Sequence, residues 1–315
     1  MDRRAAVAAL GAAALGAALK GSASPGPRFS VGRLKQSVSR WPYRQIPLPE
    51  FARAAAAIGL AAVDLLGPED WDPVREAGLV CSMGYPTARN DFIATGFNHR
   101  ANHPMLLREL EQTLPLAARH GVPNVIAMFG NRRGKSDGEA MDNCVAGLNA
   151  IKPQAEAERV TICLELLNSK VDHADYQGDR TAFGVAVVKA VGSPRIRLLY
   201  DIYHMQIMEG DIIRTIRENR EWIAHFHTGG VPGRHELDGT QELNWRAVAT
   251  AIADSGFTGF VAHEFTPTRD PLTSLRQAVE TCAVCPSPEP RAPSPEYTTC
   301  ASSAPAPVGG WRPTR

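Results

Sequence analysis

The chain has 315 residues, of which 44% are hydrophobic, and its formal net charge at pH 7 is only +1. A chain of this length can bury a substantial core, and its near-neutral charge argues against a nucleic acid partner, whose recognition needs a basic surface. The six cysteines are too few and too scattered to predict a disulfide framework.

The first 27 residues have the features of an export signal. Arg3 and Arg4 precede an apolar run over residues 5–19, small residues follow at 21–24, and the arginine pair favours the twin-arginine route. We therefore expect a periplasmic or otherwise exported protein, or a cytoplasmic one if the signal does not function. The apolar run is short for a membrane span, so no stable membrane insertion is expected after signal removal. An alanine-rich helix or an uncleaved anchor is the alternative.

Residues 28–284 alternate short apolar runs with amphipathic stretches. Strands are predicted at residues 33–41, 62–66, 78–83, 121–130, 159–166, 196–201, 222–227 and 259–264. Helices are predicted at residues 48–60, 70–77, 102–120, 137–158, 180–191, 211–219, 245–255 and 271–282. Eight strand–helix units predict an α/β protein, a single-domain closed (β/α)8 TIM barrel.

Three local features qualify this pattern. Pro153 lies late in the fourth predicted helix, where a kink or a break is expected. Cys282 and Cys285 form a CxxC with no second pair, which does not favour a zinc or redox role. Residues 285–315 are dominated by proline, serine, alanine and threonine, and we predict a disordered tail there.

The last four predicted strands each end at a potential metal ligand: Glu165, Asp201, His227 and Glu264. The gaps between them are 36, 26 and 37 residues, close to one strand–helix unit of about 30 residues in such a barrel. Because the carboxyl ends of the strands meet at one mouth, we expect these side chains to converge. Three carboxylates and an imidazole predict a divalent metal site for Mn²⁺, Mg²⁺, Co²⁺ or Zn²⁺.

Alternation along the strands predicts what else faces the barrel axis. With Glu165 inward, Cys163 and Thr161 also point inward, and His225 lies one layer beneath His227 as a core residue or a partner of the metal ligands. His263 faces the helix layer, which predicts a structural role.

Residues just past the strand ends are candidates for binding a substrate. His204 follows Asp201 by three positions and is predicted to contact a substrate hydroxyl, and Arg234 is placed to bind a carboxylate, phosphate or polarised oxygen unless it is a solvated loop arginine. The remaining substrate-side candidates lie in the loop after Glu165: Asn168, Lys170, Asp172 and His173, with Tyr176 predicted to close over the site.

Four motifs carry a family resemblance: residues 165–173, 200–206, 225–234 and 264–271. They resemble the hydroxypyruvate isomerase branch of the xylose-isomerase-like TIM barrels, a branch related to the ketose 3-epimerases, over about residues 33–284. The resemblance implies that Glu165 and Glu264 are catalytic acid/base groups as well as metal ligands, that Asp201 and His227 complete the ion's shell, and that His204 and Arg234 hold the substrate. The best-known hydroxypyruvate isomerases have glutamine at the position of His227, where histidine is closer to the epimerases.

The predicted enzyme is an intramolecular oxidoreductase, a metal-assisted aldose–ketose isomerase or epimerase for a small hydroxy-carbonyl substrate of the hydroxypyruvate or sugar type. A metal bound to the carbonyl and adjacent hydroxyl acidifies the C–H between them and stabilises the enediolate. One glutamate removes the proton, and the other returns it at the neighbouring carbon in isomerisation or on the opposite face in epimerisation.

Two rival functions follow from the same barrel. One is a metal-dependent phosphodiesterase resembling endonuclease IV, which needs more clustered histidines and a basic face. The other is a non-catalytic periplasmic sugar-binding barrel. The sequence is compatible with assembly into a homo-oligomer and does not predict the number of subunits.

Overall fold

The computed structural model describes residues 32–285, so the predicted signal and the tail beyond Cys285 lie outside the described residues. Within this range, none of the helices has the length and apolar character needed to cross a membrane.

Eight parallel strands close into a barrel in sequence order, with β8 pairing back onto β1. The strands are β1 Lys35–Ser39, β2 Ala62–Leu66, β3 Val80–Gly84, β4 Asn124–Met128, β5 Thr161–Glu165, β6 Ile196–Asp201, β7 Ile223–Thr228 and β8 Phe260–His263. The predicted (β/α)8 fold is confirmed.

Nine α-helices lie within residues 32–285 and surround the strands. They are α1 Leu48–Ile58, α2 Trp71–Glu76, α3 His103–His120, α4 Asp137–Glu158, α5 Thr181–Val191, α6 Ile202–Met208, α7 Ile212–Asn219, α8 Trp245–Asp254 and α9 Pro271–Thr281. Helix α4 continues through Pro153, so the helix does not break there.

Helix α1 shows why these segments fold as they do. Its buried residues, Phe51, Ala52, Ala55 and Ile58, recur at helical spacing and form one apolar face. Gly59 then ends the helix with a left-handed φ of 103°, a conformation that glycine adopts without a steric penalty.

Helix α6 was not predicted, and its origin lies in Asp201. The Asp201 side chain accepts a hydrogen bond from the backbone N–H of His204, which makes it the N-cap of a short helix that begins directly after β6. This helix lifts His204 over the barrel mouth.

His263 faces away from the barrel axis, as predicted. Its Nε2 lies 2.8 Å from Gln36 Oε1, and its Nδ1 lies 3.1 Å from Thr228 Oγ1. Gln36 in turn donates to the carbonyl of Val279 in α9. His263 therefore links the closing strands to the helix layer.

Candidate metal and active site

The four predicted ligands meet at the carboxyl end of the barrel. Glu165 and Asp201 are the last residues of their strands, His227 is the penultimate residue of β7, and Glu264 directly follows β8. One ligand atom from each residue lies within 4.8 Å of the others, and all four side chains are buried.

His227 is at the centre of the cluster. Its Nδ1 lies 2.7 Å from Glu264 Oε2, 3.1 Å from Glu165 Oε1 and 3.7 Å from Asp201 Oδ2, while its Nε2 lies 2.8 Å from Asp64 Oδ2. Burial opposes the charged imidazolium, but the surrounding carboxylates hold the pKa of His227 well above its ordinary value.

Arg234 adds a second cation to the cluster. Its Nη2 donates to Asp201 Oδ2 at 2.7 Å and also to Glu264 Oε2, and its guanidinium lies 4.8 Å from the centre of the Tyr203 ring. Burial would lower the pKa of Arg234, but Asp201 and Glu264 raise it further above its usual range. The solvated-loop alternative therefore does not describe this arginine.

The two glutamates have different environments. Burial raises the pKa of Glu165 to about 7, Glu264 and Asp201 add to this rise, and His227 opposes it. Burial acts in the same direction on Glu264, but His227 and Arg234 outweigh it and lower the pKa of Glu264. Two carboxyls with pKa values driven apart are typical of acid/base sites.

A cavity of about 1010 Å³ opens above the cluster. Its wall includes both glutamates together with His204, Arg234, Asp172 and His173, so four of the predicted substrate contacts face the same space as Glu165 and Glu264. A cavity of this size is large enough for a sugar-sized molecule.

His204 is held in place by its neighbours. Its Nδ1 lies 2.6 Å from Asn168 Nδ2, and its Nε2 lies 2.9 Å from Arg234 Nη1. Burial is the main cause that lowers the pKa of His204 to about 3, so the ring is neutral near pH 7. Asn168 also donates to Asp172, which accepts a hydrogen bond from the Tyr203 hydroxyl.

Three predicted residues of the loop after β5, Asn168, Lys170 and Tyr176, do not line the cavity, and Asn168 contacts His204. Lys170 donates instead to the carbonyls of Ile207 and Met208 at the carboxyl end of α6, where backbone acceptors lack helical partners. The prediction that Tyr176 closes over the site is wrong, because its hydroxyl is buried behind β5 and donates to the backbone carbonyl of Glu165.

The sequence analysis missed two residues that contact the cluster. Trp41, just after β1, donates from Nε1 to Glu264 Oε1 at 2.5 Å. Asp64, in the middle of β2, accepts from His227. The charged side chain of Asp64 within an apolar strand could have indicated a functional role. No feature of the sequence around Trp41 indicates that it contacts the site.

His225 lies inward and beneath His227, as predicted. It is fully buried, its Nε2 is 3.2 Å from Asp64 Oδ1, and its ring centre is 5.3 Å from that of His227. Neither ring nitrogen of His225 has a hydrogen-bond partner among the described residues.

The donor set fits a divalent cation. Three carboxylate oxygens and the Nδ1 of His227 are the ligand types that Mn²⁺, Mg²⁺, Co²⁺ and Zn²⁺ accept. As a metal ligand His227 must be neutral, and the three carboxylates and the Arg234 guanidinium would then leave a formal charge of −2 in the buried cluster. A divalent ion supplies the charge that would balance it.

Comparison with known proteins places this architecture in a family. A family model described as xylose isomerase-like TIM barrel matches residues 29–284. The putative hydroxypyruvate isomerase of Homo sapiens is 29% identical over 242 residues, covering 72% of this chain and 87% of the relative. The D-psicose 3-epimerase of Agrobacterium fabrum is 32% identical over 120 residues, or 38% of this chain and 40% of the relative.

A solved structure has the same fold. The AP endonuclease, family 2, from Brucella melitensis superposes with a TM-score of 0.69 at 22% identity, covering 77% of this chain and 97% of that one. This likeness shows the fold alone. The family match and the isomerase and epimerase names of the two relatives agree with the predicted isomerase class, and the chain belongs to the xylose isomerase-like TIM barrel family.

Proposed function

We propose that this protein is a metal-assisted isomerase or epimerase of a small α-hydroxy carbonyl compound, of the hydroxypyruvate or sugar type. The observation that carries the proposal is the position of Glu165 and Glu264, which line one cavity and contact the same imidazole of His227. The names of the relatives, a putative hydroxypyruvate isomerase and a D-psicose 3-epimerase, support the same class of reaction.

Glu165, Asp201, His227 and Glu264 would hold the cation. When bound, a divalent ion would polarise the substrate carbonyl and stabilise the negative charge that develops on its oxygen.

The two glutamates perform the proton transfer. One carboxylate removes the proton from the carbon beside the carbonyl, which gives an enediolate, and the other returns a proton. Return at the neighbouring carbon interconverts an aldose with a ketose, and return on the opposite face inverts one centre. Both outcomes need the same two side chains on one cavity.

Arg234 and His204 hold the substrate in this mechanism. The Arg234 guanidinium already donates to Asp201 and Glu264, so an oxygen bound beside these carboxylates is within reach of its remaining N–H groups. A substrate hydroxyl would replace Arg234 or Asn168 at a ring nitrogen of His204, and the neutral ring adds no charge there.

Exchange of substrate hydrogen with solvent tests this function. Hydroxypyruvate, small aldoses and ketoses are incubated in D₂O with Mn²⁺, Mg²⁺ or Co²⁺, and deuterium incorporation is followed by NMR. We expect exchange with the wild type and a loss of about 100- to 10,000-fold in Glu165→Gln and Glu264→Gln, the usual contribution of a general acid/base. Glu280→Gln, an exposed position on α9, serves as the matched control.

Three results would contradict the proposal. Unchanged exchange in both glutamine variants would remove the glutamates from the chemistry. If the wild type bound sugars without exchange, the result would favour the sugar-binding barrel, and metal-dependent cleavage of abasic-site DNA would favour the phosphodiesterase.

A further inference from the structure

We infer that Asp64 is a positioning residue that fixes which nitrogen of His227 faces the ligand cluster. The inference deepens the proposed function and rests on it, because it concerns the same metal site. Asp64 lies on β2, which carries none of the four ligands and is separated from β8 by β1, and it is fully buried.

The geometry assigns opposite roles to the two ring nitrogens of His227. Nε2 lies 2.8 Å from Asp64 Oδ2, and Nδ1 faces Glu165, Asp201 and Glu264. A carboxylate only accepts hydrogen bonds, so Nε2 must carry a hydrogen to satisfy Asp64. When His227 loses a proton to bind a cation, the proton therefore leaves Nδ1, and the lone pair of the neutral ring lies on the side of the three carboxylates. This is the form in which an imidazole binds a metal through Nδ1.

The opposite tautomer is disfavoured by burial. It would set the lone pair of Nε2 against the carboxylate of Asp64, and both side chains are fully buried, where a lost hydrogen bond is most costly. A buried carboxylate without a partner is costly. Asp64 therefore selects one tautomer and also limits rotation of the ring.

Asp64 is itself held by hydroxyl groups from the neighbouring strands. Ser82 on β3 donates to Asp64 Oδ1 at 2.6 Å, and the hydroxyls of Ser82 and Ser37 are 2.6 Å apart. All three side chains are fully buried. The oxygen that Ser82 occupies is not the one that binds His227, so the carboxylate is fixed at both oxygens.

A competing explanation is a second cation between Asp64, His225 and His227. Each of these offers a ligand atom within 4.8 Å of the others. The Nε2 of His227 would then have to bind this cation without its hydrogen. The two explanations predict different numbers of bound ions, so the same experiment separates them.

Metal binding by Asp64→Asn tests the inference. An asparagine of the same shape removes the charge, so its carbonyl oxygen accepts from His227 Nε2 more weakly, and its NH2 group competes for the same position. We expect Mn²⁺ to bind wild-type protein at one ion per chain and to bind Asp64→Asn about 10- to 100-fold more weakly, the usual effect of losing such a partner. Titration calorimetry measures both the number of ions bound per chain and the dissociation constant. Asp179→Asn is the matched control, because Asp179 is also buried but pairs with Arg132 and Ser169 outside the cavity.

A second readout observes the tautomer directly. In ¹⁵N-histidine-labelled protein loaded with diamagnetic Zn²⁺, wild-type His227 should show a protonated Nε2 and a metal-bound Nδ1, and this pattern should be lost in Asp64→Asn. If Asp64→Asn does not fold, Ser82→Ala replaces it, since loss of the Ser82 hydrogen bond should weaken Mn²⁺ binding less but measurably. Binding of Mn²⁺ as tight as in the wild type in the folded variant would overturn the inference.

The failure of this inference is distinguishable from failure of the proposed function. Two ions per wild-type chain would overturn the positioning role and favour the second cation. If Asp64→Asn bound Mn²⁺ as tightly as the wild type while Glu264→Gln still lost exchange, the positioning role of Asp64 would be rejected and the proposed isomerase function would be retained. No metal binding by the wild type would reject both.

Discussion

Glu264 has a different set of partners at each of its two oxygens. Trp41 donates to Oε1, while Arg234 donates to Oε2, and His227 Nδ1 lies 2.7 Å from the same Oε2. Each partner is held by a separate part of the chain, and together they fix the plane of the carboxylate. A general acid/base depends on such fixed geometry as much as on its pKa.

Trp41→Phe should therefore slow proton transfer without changing the fold. The substitution keeps the aromatic packing but removes the N–H to Glu264, and a hydrogen bond to a charged group contributes about 1.5–3 kcal/mol. If the bond stabilises the reacting geometry, this corresponds to roughly 10- to 100-fold slower solvent exchange. Trp222→Phe is the control, because Trp222 packs under Lys189 and Arg197 away from the cavity. Equal rates in wild type and Trp41→Phe would mean that Trp41 only fills space.

At the scale of elements, the loop between β7 and α8 is anchored by Glu236. Its Oε1 accepts hydrogen bonds from the Thr268 N–H at 2.8 Å and from Ser274 Oγ at 2.9 Å, and its Oε2 accepts from Thr268 Oγ1 at 2.9 Å. These bonds tie the loop that carries Arg234 to the segment leading into α9. Burial would raise the pKa of Glu236, but the hydrogen bonds outweigh it and lower the pKa to about 2.

Glu236 should make stability depend on pH. Its pKa in the unfolded chain is about 4.3, above its value in the folded protein, so its contribution is fully present above about pH 5 and is lost as the pH falls towards 2. We expect Glu236→Gln to lower the free energy of unfolding by about 2–3 kcal/mol near pH 7, and the difference from wild type to shrink below pH 4. Denaturant titrations between pH 3 and 7 measure this, with Glu280→Gln as an exposed control; a constant difference at every pH would contradict it.

The sequence predicted the order of elements well because each strand is a short apolar run bounded by polar residues. The bounds shifted by a few residues, as in β1, predicted at 33–41 and found at Lys35–Ser39. Helix α6 was missed because its N-cap, Asp201, also ends β6 and was assigned only to the strand and the metal. Asp201 thus ends a strand, caps a helix and is a candidate metal ligand, and the helix cap is the role that the sequence pattern did not indicate.

At the scale of the whole molecule, the closed barrel brings together residues that no local pattern connects. The predicted barrel implied that Glu165, Asp201, His227 and Glu264 converge, because the carboxyl ends of all its strands meet at one mouth. It did not predict that Asp64 reaches His227 across 163 positions or that Trp41 reaches Glu264 across 223. Such contacts depend on side-chain length and on the width of the barrel interior, which are properties of the assembled fold.

A bound cation should raise the stability of the whole barrel, because four strands contribute to one buried site. At a free Mn²⁺ concentration of 100 times its dissociation constant, the free energy of unfolding should rise by about 2.7 kcal/mol, and EDTA should remove this increase. Thermal unfolding with and without Mn²⁺ measures the shift. Asp201→Asn should lose most of this shift and Asp179→Asn should keep it. Because Asp201 also caps α6, the comparison uses the shift within each variant; an undiminished shift in Asp201→Asn would exclude Asp201 as a ligand.

The pairing of Asp64 with His227 has a consequence for synthesis of the chain. Asp64 belongs to the second strand to leave the ribosome and His227 to the seventh, so for most of translation this carboxylate has no imidazole opposite it. An amino-terminal fragment that buried Asp64 in its native position would therefore hold an unbalanced charge, which disfavours a stable half-barrel. The imidazole that pairs with Asp64 arrives with β7, and β8 then closes the ring of strands, so this buried carboxylate gains its partner only when the barrel is almost complete.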